Sequence, residues 1–106
     1  MGGKDAYGVW AANINKVDAD SVFKMLPGGQ EGLVSGGGAK DVLLESGLKT
    51  DVLRQIWDLS DIDRDGHLDK DEFAVCWYLL QSAKKGQVIP ATLPPSLVPP
   101  TKKVAA

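Results

Sequence analysis

Twelve consecutive residues, Asp61-Ile62-Asp63-Arg64-Asp65-Gly66-His67-Leu68-Asp69-Lys70-Asp71-Glu72, constrain this chain more than any other stretch. Carboxylates stand at the first, third, fifth, ninth and twelfth positions, and glycine stands at the sixth. Calcium is a hard cation that takes roughly six to eight oxygen ligands. Asp61, Asp63 and Asp65, the backbone carbonyl of His67, a water held by Asp69 and a bidentate Glu72 supply such a shell from one loop. Gly66 allows the sharp turn with positive φ that the wrap requires. Most acidic runs are solvated surface, but here six ligand positions agree with one another and with the glycine. The reading is one calcium ion per chain.

That spacing is the EF-hand loop. Such loops work in pairs, and residues 27–38 align as the partner. With Gly32 at the glycine position, Pro27 comes first, Gly29 third, Glu31 fifth, Val34 eighth and Gly38 twelfth. Glu31 is the only carboxylate in this loop, so it is not expected to hold calcium tightly. Its apolar eighth residue survives, and Val34 is expected to pair with Leu68 in a short two-stranded link. The fold class is therefore all-α, a pair of EF-hands with four main helices and one working metal loop.

The helices follow from periodicity. One begins around Asn15, offers Val17, Val22, Phe23 and Leu26 as its apolar side, and stops at Pro27-Gly28-Gly29. Trp10, just upstream, is read as an apolar plug over it. Gly36-Gly37-Gly38 are poor helix formers, so the second helix is expected from Ala39 to Ser46, with Val42, Leu43 and Leu44 apolar and Gly47 at its end. The third runs from Lys49 or Thr50 to Leu59, with Val52, Leu53, Ile56 and Trp57 on one stripe. The last leaves the loop at Asp69, which can cap it, and buries Phe73, Cys76, Trp77 and Leu80. Lys84, Lys85 and Gly86 close it. From Val88 onward prolines dominate. None of the prolines at 90, 94, 95, 99 and 100 lie three apart, so a P-x-x-P ligand is absent. Leu93, Leu97 and Val98 are instead expected to pack this tail on the domain.

Composition excludes several classes. A chain of 106 residues with 43% hydrophobic content makes one domain with a modest core, which a metal would usefully staple. The net charge of −2 leaves no basic stripe for nucleic acid. Lys84, Lys85, Lys102 and Lys103 are split between two segments, which predicts weak or no direct membrane binding. The longest apolar run is too short to span a bilayer, and the single cysteine, Cys76, suits a reducing compartment. A cytoplasmic location is expected. No nucleophile–base set, zinc cluster or phosphate loop is present, so no enzyme is expected. The loop alone indicates calcium and nothing about partners, and a calcium sensor or buffer that exposes a hydrophobic groove on binding metal is kept as the alternative reading.

The words around the loop point elsewhere. Ser46-Gly47-Leu48, Val52-Leu53-x-x-Ile56-Trp57-x-Leu59-Ser60-Asp61, Asp71-Glu72-Phe73-Ala74-Val75 and Leu93-Pro94-Pro95-x-Leu97-Val98-Pro99-Pro100 together resemble an EH domain. The likeness covers roughly residues 10–103, between a flexible start at 1–9 and a flexible end at 101–106, with the domain itself placed at 10–100. It implies a peptide-binding adaptor of endocytic and membrane-traffic proteins, monomeric as an isolated domain and recruited to membranes by partners. Members bind Asn-Pro-Phe motifs between the second and third helices. Carried onto this sequence, the pocket is Leu43, Leu53 and Trp57 with Lys40 at its rim, and calcium becomes a structural ion. Lys49 stands where most family sequences carry proline.

Overall fold

The computed structural model describes residue 14, residues 16–93 and residues 97–99. The expectations for residues 1–9, Trp10, Asn15, Pro94, Pro95, Pro100 and the end at 101–106 lie outside these. Among the described residues there are four α-helices, α1 (Lys16–Met25), α2 (Gly36–Glu45), α3 (Thr50–Ser60) and α4 (Lys70–Lys84). Two short strands, β1 (Val34–Ser35) and β2 (His67–Leu68), lie in the loops of the two helix–loop–helix units. This is a pair of EF-hands. The strands run antiparallel with Val34 opposite Leu68 and Ser35 opposite His67, as the shared eighth position predicts. Gly32 and Gly66 both take positive φ, 97° and 82°, so the two loops turn at equivalent points.

The core is built around α4. Phe73, Ala74, Val75, Cys76, Leu79 and Leu80 are all buried, a wider face than the predicted four-residue stripe, of which Trp77 is only half-buried. The helix is covered on two sides, by α1 and by α3. The Phe73 ring lies 5.6 Å from that of Phe23 on α1 and 6.4 Å from that of Trp77. Burial pushes the Cys76 thiol up to about 12, against a smaller opposing effect of its hydrogen bond with Ser60. This cysteine is therefore an inert apolar filler.

Three sequence expectations are corrected in α1 and α2. Val17 was assigned to the apolar side of α1 but is 77% exposed. At about 100° per residue it sits roughly a third of a turn away from Phe23, which faces inward. The second helix starts at Gly36, not near Ala39. The hydroxyl of Ser35 accepts a hydrogen bond from the Gly38 amide at 3.1 Å, and Ser35 is itself held in the β link. A fixed cap at that point outweighs the weak helix propensity of three glycines. Leu44, expected among the apolar residues of α2, is 54% exposed.

Gly47 follows α2 with φ 74°, as its C-terminal assignment requires. Lys49 precedes α3 with φ −66° and ψ 149°. That is the φ a proline would impose, so the entry to α3 is kept without one.

One side chain of α3 helps to tie down the tail. The Gln55 amide on α3 donates to the carbonyls of Ile89 at 3.3 Å and Pro90 at 2.8 Å. Ile89 and Pro99 are buried, and Leu93 and Leu97 pack against the core. No helix among the described residues is long and apolar enough to cross a membrane.

The glycine run yields a prediction. A Cβ at Gly37 would meet nothing nearer than the Ser35 hydroxyl at 3.9 Å, whereas one at Gly38 would lie 3.0 Å from the Pro27 carbonyl oxygen and 3.3 Å from Val34. Gly37→Ala should raise stability by about 0.4–1 kcal/mol, chiefly by restricting the unfolded chain. Gly38→Ala should forfeit that gain to crowding. Urea unfolding of the two variants measures the difference.

Candidate functional site

The metal loop is shaped by its own amides. The carboxylate of Asp61 accepts from the Gly66 amide at 3.0 Å and from the Asp65 amide at 3.3 Å, folding the first half over itself. Asp65 accepts from the His67 amide at 3.0 Å. Glu72 closes the second half: its two oxygens accept from the amides of Asp63 and Asp69, both at 3.1 Å. Asp69 in turn caps α4, accepting from the Glu72 amide at 2.8 Å in a reciprocal capping box.

One ligand-capable oxygen from each of Asp61, Asp65 and Glu72 lies within 4.8 Å of the others, and the same holds for Asp63, Asp69 and Glu72. Five carboxylates thus converge in two overlapping sets that share Glu72. That donor set, all hard oxygen, fits calcium. Asp61 and Glu72 are buried while Asp63 and Asp65 are exposed, leaving an open side for an ion and its water. His67 carries its carbonyl in β2, and its ring points away to the Asp65 carbonyl at 3.2 Å. Burial, with a hydrogen bond to the Asp63 side chain, pushes Glu72 up to about 7, while the amides of Asp69 and Asp63 oppose the shift.

Sequence reasoning did not foresee one further tie. Lys16, nine-tenths buried, bonds Asp20 at 2.9 Å and reaches Asp71, the eleventh loop residue, at 3.7 Å. It joins the metal loop to α1, and its burial is visible only once the helices are packed.

A second feature lies between α2 and α3. Lys40, Leu43, Leu53 and Trp57, the four residues assigned to a peptide pocket, line one cavity of about 350 Å³. Leu43 and Leu53 are buried in its floor, and Trp57 is half-buried beside them. Gly36, Leu44, Thr50 and Arg54 complete the lining, and sequence reasoning missed all four in this role. A signal for them existed. Lys40, Leu43 and Leu44 recur at helical spacing on α2, as do Thr50, Leu53, Arg54 and Trp57 on α3. Leu44 is thus exposed because it forms a cavity wall. The cavity is apolar within, with Lys40 and Arg54 as its cations, which suits a short peptide bearing an apolar anchor.

Comparison with known proteins agrees with this architecture. The family model described as EH domain matches residues 12–106. Epidermal growth factor receptor substrate 15-like 1 of Mus musculus is 48% identical over 96 residues, 89% of this chain and 10% of that protein. Epidermal growth factor receptor substrate 15 of Homo sapiens is 46% identical over 89 residues, 84% of this chain and 10% of that protein. EH domain-containing protein 1 of Bos taurus is 40% identical over 94 residues, 89% of this chain and 17% of that protein. The chain thus spans between a tenth and a fifth of the length of these relatives.

The state of Glu72 carries a prediction for the loop. A carboxyl that titrates near 7 without metal must lose its proton before it can act as a bidentate ligand. Proton and calcium therefore compete, and apparent calcium affinity should fall severalfold as pH drops from 8 to 6, through the raised value. Glu72→Gln should weaken binding more than any other single ligand substitution and flatten that pH profile. Calorimetric calcium titrations at the two pH values check both outcomes and should give one ion per chain.

Proposed function

The chain belongs to the EH domain family of protein-interaction modules, and from that premise we propose that it binds Asn-Pro-Phe motifs of endocytic and membrane-traffic proteins. The observation that carries this reading is the convergence of Lys40, Leu43, Leu53 and Trp57 on one apolar cavity between α2 and α3. An Asn-Pro turn is preorganised by its proline, so little conformational entropy is lost on docking. The phenylalanine ring supplies apolar burial against Leu43 and Leu53, and the rigid indole of Trp57 forms the wall. The motif's asparagine then hydrogen-bonds at the mouth and gives selectivity, since its loss would leave buried partner groups unpaired.

Calcium in this reading is structural. It would be held by Asp61, Asp63, Asp65, Asp69 and Glu72 with the His67 carbonyl, and when bound it neutralises their mutual repulsion. The loop is positioned to stiffen the β link and the start of α4, on which α1 and α3 pack. The other loop offers only Glu31 as a carboxylate, which argues against a sensor that opens on binding two ions. The domain acts as a monomer, touches lipid weakly or not at all, and reaches vesicle membranes from the cytoplasm through its partners or the rest of a longer protein.

A cavity of this size supports weak single-motif affinity, with Kd of roughly micromolar to millimolar, or about 4 to 8 kcal/mol. Several motifs in one partner supply the rest by avidity. Trp57→Ala should abolish binding of an Asn-Pro-Phe peptide while leaving calcium affinity nearly unchanged, because no metal ligand is touched. Leu53→Ala should weaken binding less. Calorimetry with the peptide and with calcium on each variant tests the assignment, and a folded Trp57→Ala protein with full peptide affinity would refute it.

A further inference from the structure

Three consecutive glycines open α2, and their surroundings differ. Gly38 has a packing reason to lack a side chain, because a Cβ there would crowd the Pro27 carbonyl and Val34. Gly37 faces no such neighbour. Gly36 is different again. A Cβ built on it would lie 3.7 Å from Cη2 and 3.8 Å from Cζ2 of Trp57, and touch nothing else within 4 Å. Those distances are ordinary van der Waals contact, and Gly36 is not among the residues with positive φ. The fold therefore tolerates alanine at this position. Gly36 nevertheless lines the cavity beside Trp57, and what its missing side chain leaves uncovered is the outer edge of the six-membered ring of the indole.

We infer that Gly36 is a specificity-determining residue that sets the size of the ligand group admitted beside Trp57. The inference rests on the peptide-pocket reading given above. An aromatic edge carries partial positive charge and prefers to meet the face of a second ring, offset or T-shaped. With no Cβ on Gly36, an incoming phenyl ring can lie over the helix backbone with its face toward the Cζ2–Cη2 edge. A single methyl group at residue 36 would occupy that space. A smaller aliphatic anchor, seated deeper against Leu43 and Leu53, would not need it. Gly36 thus favours an aromatic over an aliphatic residue at the anchor position, and does so through space alone.

The test compares two peptides, one with Asn-Pro-Phe and one with Asn-Pro-Leu, on wild type, Gly36→Ala, Gly36→Ser and Gly37→Ala at saturating calcium. Unfolding curves verify that each variant is folded. Gly36→Ala and Gly36→Ser should weaken the phenylalanine peptide about tenfold, the scale of one methyl group in a tight apolar site. The leucine peptide should lose much less, so the ratio of the two affinities falls. Gly37→Ala should leave both affinities and their ratio at wild-type values. A wild-type ratio in both Gly36 variants, or an equal loss of both peptides, would overturn the role assigned to Gly36 while leaving the pocket in place. Failure of wild type to bind either peptide would overturn the pocket reading and this inference with it.

Discussion

The carboxylate of Glu72 is the point on which the architecture depends. It is the twelfth residue of the metal loop and also lies in the first turn of α4. Its two oxygens hold the amides of Asp63 and Asp69 at 3.1 Å, so the loop closes and the helix starts through one side chain. Asp69 answers by capping that same turn. The arrangement places an ionisable side chain almost wholly out of contact with water, where burial raises its pKa to about 7. A bound cation would offset that penalty.

From this point order passes outward by contact. Closing the loop sets β2, and Leu68 sets Val34 across the link. Ser35, the next residue, caps α2 through the Gly38 amide. The first residue of α2 is Gly36, and the cavity begins there. On the other side, Gln55 pins the carbonyls of Ile89 and Pro90, so the tail covers α3 away from the cavity side chains. The loop without a metal set is thus no vestige in mechanical terms. It joins the acidic loop to the first residue of the cavity lining through the Val34–Leu68 pair and the Ser35 cap.

Much of this was legible in the sequence, for identifiable reasons. The convergence of the loop carboxylates and the Val34–Leu68 pair follow from loop positions whose roles are local. Leu53, Ile56 and Trp57 follow from helical spacing alone. What was missed depended on neighbours. The three glycines read as helix breakers because propensity is averaged over isolated helices, and here a single hydroxyl cap at Ser35 decides the outcome. Val17 is apolar yet faces water, since apolar character does not fix which side of α1 turns inward. Leu44 and Arg54 were passed over because cavity walls are made of half-exposed residues, which a search for buried stripes ignores. Lys16 and Asp20 stand at an i, i+4 spacing that the sequence shows, but the burial of Lys16 and its reach to Asp71, 55 positions away (71 − 16), arise only after packing.

In the proposed function the acidic loop maintains shape and the cavity meets the partner. Mapping backbone amide shifts during titration of an Asn-Pro-Phe peptide into the calcium-loaded, isotope-labelled domain tests that division most directly. The account predicts the largest shifts at Gly36, Lys40, Leu43, Thr50, Leu53 and Arg54 and at the Trp57 indole, with Asp61 to Glu72 nearly still. Dominant shifts within Asp61–Glu72, or along the Phe73–Leu80 face of α4, would contradict it.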